Sequence, residues 1–166
     1  MILEIHNQFT CVSYDTIDFL IPSKYIVSGI FLSIPKESKT ILFNKETLPH
    51  IYIGNMLEKE FQCKTKADTS VVLVMNKNDF SKEVCNTIVN YTDTAFPATG
   101  NLALSLNGNI SSKEFVLDSF HLIPQGIRER LYAYGIDAII FPDNIRKQIL
   151  IAPDLLLKKF FTGGIE

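Results

Sequence analysis

Apolar and polar positions alternate with a period of two through the first third of the chain. Phe9, Cys11 and Ser13 interleave with Thr10, Val12 and Tyr14, and after an Asp15-Thr16 turn an apolar run covers 17–21. Two such runs around a short turn predict a β-hairpin. A third run, 25–32, is interrupted by Gly29, which predicts a bulge or sharp bend. Residues 33–39 are a polar loop holding Pro35; 40–43 and 47–53 predict two more strands joined tightly by Asn44-Lys45. No helical crossover separates these five runs, which excludes a βαβ unit and points to a small barrel or sandwich.

Further along, 55–61 predicts two helical turns with Met56, Leu57 and Phe61 on one side, and the aperiodic polar stretch 64–69 marks a boundary between lobes. The unbroken run Val71-Val72-Leu73-Val74 within 70–75 predicts a strand buried on both faces. Val84, Ile88 and Tyr91 recur at helical spacing behind Ser81, a candidate N-cap, so a helix is expected over 81–90. Leu102, Leu104 and Leu106 alternate as a strand, and Asn107-Gly108 signals a hairpin continuing through Phe115 and Leu117. A short helix is expected over 125–134 with Gly135 at its C′ position. The runs 136–141 and 146–151 form a hairpin around Pro142-Asp143-Asn144, and Pro153 opens a last helix, 154–161, closed by Gly163. Val71, Leu73, Ile88, Leu104 and Ile139 are the expected core of the second lobe.

Composition narrows the class. The chain has 166 residues, 46% hydrophobic and 20% charged. At this length about 70% of the unfolded surface can be buried, enough for a core without staples. Mean hydropathy is +0.15, yet no apolar run reaches the ~20 residues that span a bilayer, so no membrane insertion is expected. The apolar surplus must enter a dense core or a protein interface. A net charge of −2 argues against nucleic acid as partner. Cys11, Cys63 and Cys85 are odd in number, widely spaced and without a CxxC pair, and no secretory signal opens the chain; a reducing cytoplasm and small buried thiols are expected.

Little catalytic chemistry is visible. His6, His50 and His121 lie far from one another and from every cysteine, so zinc spacing is absent, and there is no phosphate-cradling or nucleophile-elbow motif. No metal or organic cofactor is expected. A Cys/His pair such as Cys11 with His50, or a Ser/His pair, remains as an alternative small hydrolase. The carboxylate pairs Asp15/Asp18 and Glu58/Glu60 read as solvated surface.

The segment Ile41-Leu42-Phe43-Asn44-Lys45-Glu46-Thr47-Leu48-Pro49-His50-Ile51-Tyr52-Ile53 resembles the strand–turn–strand of CheW-like chemotaxis coupling proteins, in which Asn-Leu-Arg-Gly precedes an apolar-Pro-x-apolar-x-apolar strand. Ile21-Pro22-Ser23-Lys24-Tyr25-Ile26 resembles that family's Leu-Pro-x-x-x-Val strand, and 135–160 its closing hairpin and terminal helix. Asn44 alone of Asn-Leu-Arg-Gly is kept, Lys45 stands in place of the arginine, Ser28-Gly29 replaces an acidic position, and 80–100 reads as an insertion. The resemblance implies a mainly β fold: two packed small five-stranded barrels with a few short helices, one domain over 1–166, its lobes 12–66 and 67–161, with 1–11 joining the second. It implies a non-enzymatic cytoplasmic adaptor between a chemoreceptor signalling tip and the regulatory domain of the chemotaxis histidine kinase. The partner-binding candidates are Ile26, Ile30, Asn44 and Lys45. The alternative is a small-barrel protein with another scaffold or assembly role.

Overall fold

The computed structural model describes residues 8–13, 17–61, 63, 70–114, 136–140 and 147–163. The expected runs become strands β1 (Gln8–Ser13), β2 (Ile17–Pro22), β3 (Ser28–Phe31), β4 (Thr40–Phe43) and β5 (Glu46–Tyr52), then helix α1 (Gly54–Phe61). Strand β6 (Ser70–Asn76), helix α2 (Lys82–Thr92) and strands β7 (Asn101–Asn107), β8 (Asn109–Glu114), β9 (Ile136–Ile140) and β10 (Lys147–Ile151) follow, and helix α3 (Pro153–Gly163) comes last. The expected strand continuation at Phe115 and Leu117, the helix at 125–134 and the boundary at 64–69 lie outside the described residues.

The strands form two five-stranded sheets. One, the contiguous sheet, runs β3-β6-β7-β5-β4. The other, the split sheet, runs β8-β1-β2-β10-β9 and is gathered from both ends of the described chain. The expected mainly β architecture with a few short helices is therefore present. The strand partition differs from the expected lobes. β3 through β7 share one sheet across the 64–69 segment, while β1 and β2 pair with β8 and β10. The reason is the parallel pairing of β5 with β7. A parallel neighbour cannot come from a tight hairpin, so β5 takes a strand from beyond α1.

Two local expectations are also corrected. Asn107-Gly108 is not a hairpin: β7 already lies between β6 and β5, so the chain crosses to the other sheet, where β8 pairs with β1. Gly29 makes no bulge, since β3 keeps an unshifted register against β6. Its role is close approach. A Cβ at Gly29 would meet Ile110 Cδ1 of β8 at 2.5 Å, so only glycine lets the edge strands of the two sheets come together here.

Strand alternation builds three apolar layers. Between the sheets, Val12, Phe19, Ile21 and Ile149 meet Ile51, Val71, Leu73 and Leu104, with Leu57 of α1, Ile88 of α2 and Leu156 of α3 in the same cluster. Outside the split sheet lie Phe9, Cys11, Leu20 and Leu150. Outside the contiguous sheet lie Ile41, Leu48, Val72, Val74 and Ala103, with Ile30 and Phe43 packed against them. Strand β6 is thus buried on both faces, as its unbroken apolar run predicts. Val71, Leu73, Ile88 and Leu104 are core residues; the Ile139 side chain lies outside the described set.

The helices join the sheets. Phe61 of α1 meets Phe19 of β2 edge-on, ring centroids 5.1 Å apart. Ser81 caps α2, its hydroxyl accepting the Val84 N–H at 3.3 Å, while its own N–H donates to Asp154 Oδ1 of α3 at 2.9 Å. At the far end of α2, Tyr91 packs against Phe160 and Phe161 of α3.

Candidate functional site

The β4–β5 hairpin turns on Asn44 and Lys45, both with positive φ (48° and 65°). Phe43 faces Glu46 across a two-residue loop, and left-handed backbone at both central positions is what matches such a loop to the strand twist. Asparagine enters that region readily; lysine does so at a cost of ~1 kcal/mol. Lys45 therefore carries a backbone duty that its sequence position does not reveal. Both side chains are exposed at the tip. Beside them, Leu42 leaves 71% of its surface exposed, the largest such fraction among the large apolar side chains described. The strand end next to the turn is tied down: Thr99 Oγ1 donates to Glu46 Oε2 at 2.6 Å, and Asn76 Nδ2 donates to the Thr99 carbonyl at 2.9 Å.

Ile26 and Ile30 are placed differently from expectation. Both are half-buried; Ile26 packs on the inter-sheet core and Ile30 on the outer layer of the contiguous sheet. The exposed apolar residues are their neighbours Val27 (54%) and Phe31 (55%), with Leu32. Within β3 the offset follows from strand alternation, Gly29 and Phe31 sharing a face and Ile30 taking the other; Ile26 precedes the strand and packs on the inter-sheet core instead. β3 and β4 end the same ladder on opposite sides, so Ile30 lies on one edge strand, with Ile26 just before it, and Asn44 and Lys45 lie at the end of the other.

Two buried polar pairs sit in the sheets, and sequence pattern alone does not separate them from surface. His50 of β5 is 1% exposed and Ser105 of β7 is 2% exposed. His50 Nδ1 lies 2.6 Å from the Ser38 carbonyl and Nε2 lies 2.5 Å from Ser105 Oγ. A carbonyl only accepts, so Nδ1 carries the proton and Nε2 accepts from the serine hydroxyl. Burial lowers the His50 pKa, partly opposed by the Ser38 bond. This is serine–histidine geometry, but both residues are shut inside the sheet, where no substrate can reach the hydroxyl. His50 is bound to two serines and lies in the other sheet from Cys11, so the expected Cys11–His50 alternative is not assembled. Burial pushes the Cys63 and Cys85 thiols up, with Glu58 adding to the effect at Cys63, which disfavours a nucleophilic thiolate at either.

The second pair corrects the surface reading of Asp18. It is 1% exposed and accepts a hydrogen bond from Gln148 Nε2 at 3.1 Å. Gln148 is itself buried, and its Oε1 has no partner among the described residues. A polar residue at an inward position of an otherwise apolar strand, as in Ile17-Asp18-Phe19, is the one sequence signal for it. Among the described residues no group of three or more His, Cys, Asp or Glu could hold a metal ion.

No protein-family model matches the chain, and no curated protein matches it. Among solved structures it is similar to the scaffolding protein TtCheW from Thermoanaerobacter tengcongensis, at 11% identity over 89% of each chain with a TM-score of 0.50. The fold is CheW-like. Over that frame the described surface offers exposed apolar edges at β3 and β4, while its one serine–histidine contact is sealed. No helix among the described residues is long and apolar enough to cross a membrane.

Proposed function

We propose that the protein is a non-enzymatic adaptor that couples a chemoreceptor signalling tip to the regulatory domain of the chemotaxis histidine kinase in the cytoplasm. The observation that carries the reading is the CheW-like arrangement over 89% of both chains, supported by an exposed apolar side chain beside a polar tip on the β4–β5 hairpin. An adaptor needs no reacting group. It needs a surface that two partners can share, so that a change in one alters the equilibrium of the other, typically by ~1–3 kcal/mol. Leu42 supplies apolar contact, and Asn44 and Lys45, on left-handed backbone, supply a polar rim. Ile26 and Ile30 act behind the surface, as packing residues that hold β3 in place.

The test is a binding assay with purified receptor tips and kinase regulatory domain. Leu42→Asp and Lys45→Glu are expected to weaken binding at least tenfold with little change in melting temperature. Failure of the unaltered protein to bind either partner would overturn the reading and favour a CheW-like fold recruited to another assembly.

A further inference from the structure

The outer half of the β4–β5 hairpin stands beyond the rest of its sheet. β5 pairs with β7 over His50–Tyr52, and β4 pairs with β5 along Thr40–Phe43, so residues 40–49 form a ribbon of two strands. A two-stranded ribbon by itself is marginal in water. One face of this ribbon is packed, since Ile41, Phe43 and Leu48 join the outer apolar layer. Apolar packing is non-directional and does not by itself fix where the tip points.

Two directional contacts supply that constraint, and both come from the segment between β6 and β7, where 80–100 reads as an insertion. Near the turn, Glu46 Oε2 accepts from Thr99 Oγ1 at 2.6 Å. The parallel register of β5 with β7, His50 opposite Ala103, carried four residues back sets Glu46 opposite Thr99. The side chains thus continue the contact where backbone pairing has stopped. Thr99 is held in turn. Its carbonyl accepts from Asn76 Nδ2, Gly100 N–H donates to the Pro97 carbonyl at 2.8 Å, and Lys77 N–H donates to the Gly100 carbonyl at 2.8 Å. Gly100 has a φ of 76°, and a Cβ there would press on the Lys77 side chain at 3.1 Å, so this turn requires glycine. At the root, Lys39, the residue before β4, sets its ammonium 3.3 Å from the centroid of the Tyr91 ring near the end of α2. Tyr91 is itself packed edge-on against Phe160 and Phe161 of α3, with centroids 5.6 Å away in both cases.

We propose that residues 77–100 brace the β4–β5 hairpin through Thr99–Glu46 and Tyr91–Lys39, and that this brace raises the affinity of the hairpin tip for its partner. Thr99 and Lys39 are positioning residues. The effect on affinity rests on the adaptor reading; the hold on the hairpin does not. A surface already held in its bound arrangement loses less freedom on association, so a brace strengthens binding without touching the partner. Each tie is modest, one exposed hydrogen bond and one cation–π contact. Both act on the same ribbon, so either alone keeps most of the hold and loss of both releases it.

Thr99→Val and Lys39→Met, made singly and together, remove the hydroxyl donor and the cation; Thr99→Ser with Lys39→Arg keeps both. Two readouts are taken on the full chain: hydrogen exchange of the backbone amides, and affinity for purified receptor tips and kinase regulatory domain. In the double variant the β4 and β5 amides should exchange at least about tenfold faster while those of β6 keep their protection. Affinity should fall about twofold in each single variant and at least about tenfold in the pair, more than the product of the singles, at little-changed melting temperature. The Ser and Arg pair should return both readouts to those of the unaltered protein. Unchanged exchange in the double variant overturns the brace, and so does faster exchange spread over the whole contiguous sheet, which would make both residues general supports of the fold. Faster hairpin exchange with unaltered affinity overturns the role in binding. If the unaltered protein binds neither partner, the adaptor reading fails, and exchange alone then decides the brace: faster hairpin exchange supports it and unchanged exchange overturns it.

Discussion

The contiguous and split sheets repeat one ladder: antiparallel, antiparallel, parallel, antiparallel. In each, a hairpin leads into a helix, β4–β5 into α1 and β9–β10 into α3. The order β3, β4, β5, α1, β6, β7 of one becomes β8, β9, β10, α3, β1, β2 in the other, so the split sheet is the contiguous one permuted through the chain ends. The same pairing scheme is thus reached by two routes of different length. All strands of the contiguous sheet lie within 28–107, whereas Asp18 and Gln148, bonded neighbours in the split sheet, are 130 residues apart. Closing longer loops costs more chain entropy before any contact is gained. The β1–β8 and β2–β10 pairings span the longest loops and are therefore expected last, completing the split sheet and its outer Leu20–Leu150 layer on a surface that the contiguous one provides.

That order of events gives the largest expected effect. Leu73, fully buried in the inter-sheet core, and Leu20, fully buried outside the split sheet, should each cost roughly 2–5 kcal/mol when changed to Ala. The partition between rates should differ. Leu73→Ala should slow folding, and Leu20→Ala should mainly speed unfolding, as read from the two arms of a denaturant chevron. Equal partition in the two variants would mean that the sheets form together and that chain continuity does not set the order.

The buried polar pairs sharpen the comparison at smaller scale. Each sheet carries one across its parallel ladder, His50–Ser105 and Gln148–Asp18. The His50 ring has both nitrogens bonded, while Gln148 Oε1 has no partner among the described residues. Ser105→Ala leaves a buried acceptor without its donor and should cost about 1–3 kcal/mol. Gln148→Met also strips a donor from a buried acceptor, Asp18, but removes the orphaned Oε1 with it, so the two effects oppose each other. Urea unfolding of the two variants gives the ranking: a smaller loss for Gln148→Met shows that the orphaned oxygen carries a cost in the native state, and a larger loss shows that the Asp18 bond outweighs it.

The same contrast has a pH signature. Burial holds the His50 pKa below its ordinary value near 6.5. As pH falls through that ordinary value the unfolded chain takes up the proton first, so stability is full above it and declines toward the depressed folded value. His50→Gln should remove this component of the slope between neutral and mildly acidic pH. An unchanged slope would place the acid sensitivity in another group.

Strand existence was legible because its signal is local. The alternation at 9–14, the unbroken Val71-Val72-Leu73-Val74 and the Ser81 cap all appear where periodicity and capping put them. Sheet membership was not, because it depends on which edges remain after other strands have paired. Asn107-Gly108 has hairpin chemistry, yet the edges of β7 are taken by β5 and β6. Exposure along 26–32 was equally illegible at one-residue resolution. Ile26 and Ile30 are as apolar as Val27 and Phe31, and only packing against the inter-sheet and outer layers decides which of them emerge. Asp18 was misplaced because a charge in a strand reads as surface until a buried partner on a distant strand is known.

The smallest expected effect is at the hairpin tip, where the contiguous sheet carries a local cost of its own. Asn44 and Lys45 both hold left-handed backbone, and the second of these positions is one that glycine fills without steric penalty. Lys45→Gly relieves the native-state cost but gives the unfolded chain more freedom, a loss of ~0.4–1 kcal/mol that offsets part of the gain. The net should be a stabilisation of about 0.5–1 kcal/mol, seen as a melting temperature a few degrees higher. If the tip also touches a partner, the same change weakens binding, because the lysine side chain is gone while the turn is firmer. Stability and affinity would then move in opposite directions from one substitution, as expected where a residue is retained for contact at the expense of its backbone. A rise in stability with unaltered receptor and kinase affinity would leave Lys45 a strained turn residue and take it out of the interface. A loss of stability would show that the turn does not need left-handed backbone at this position.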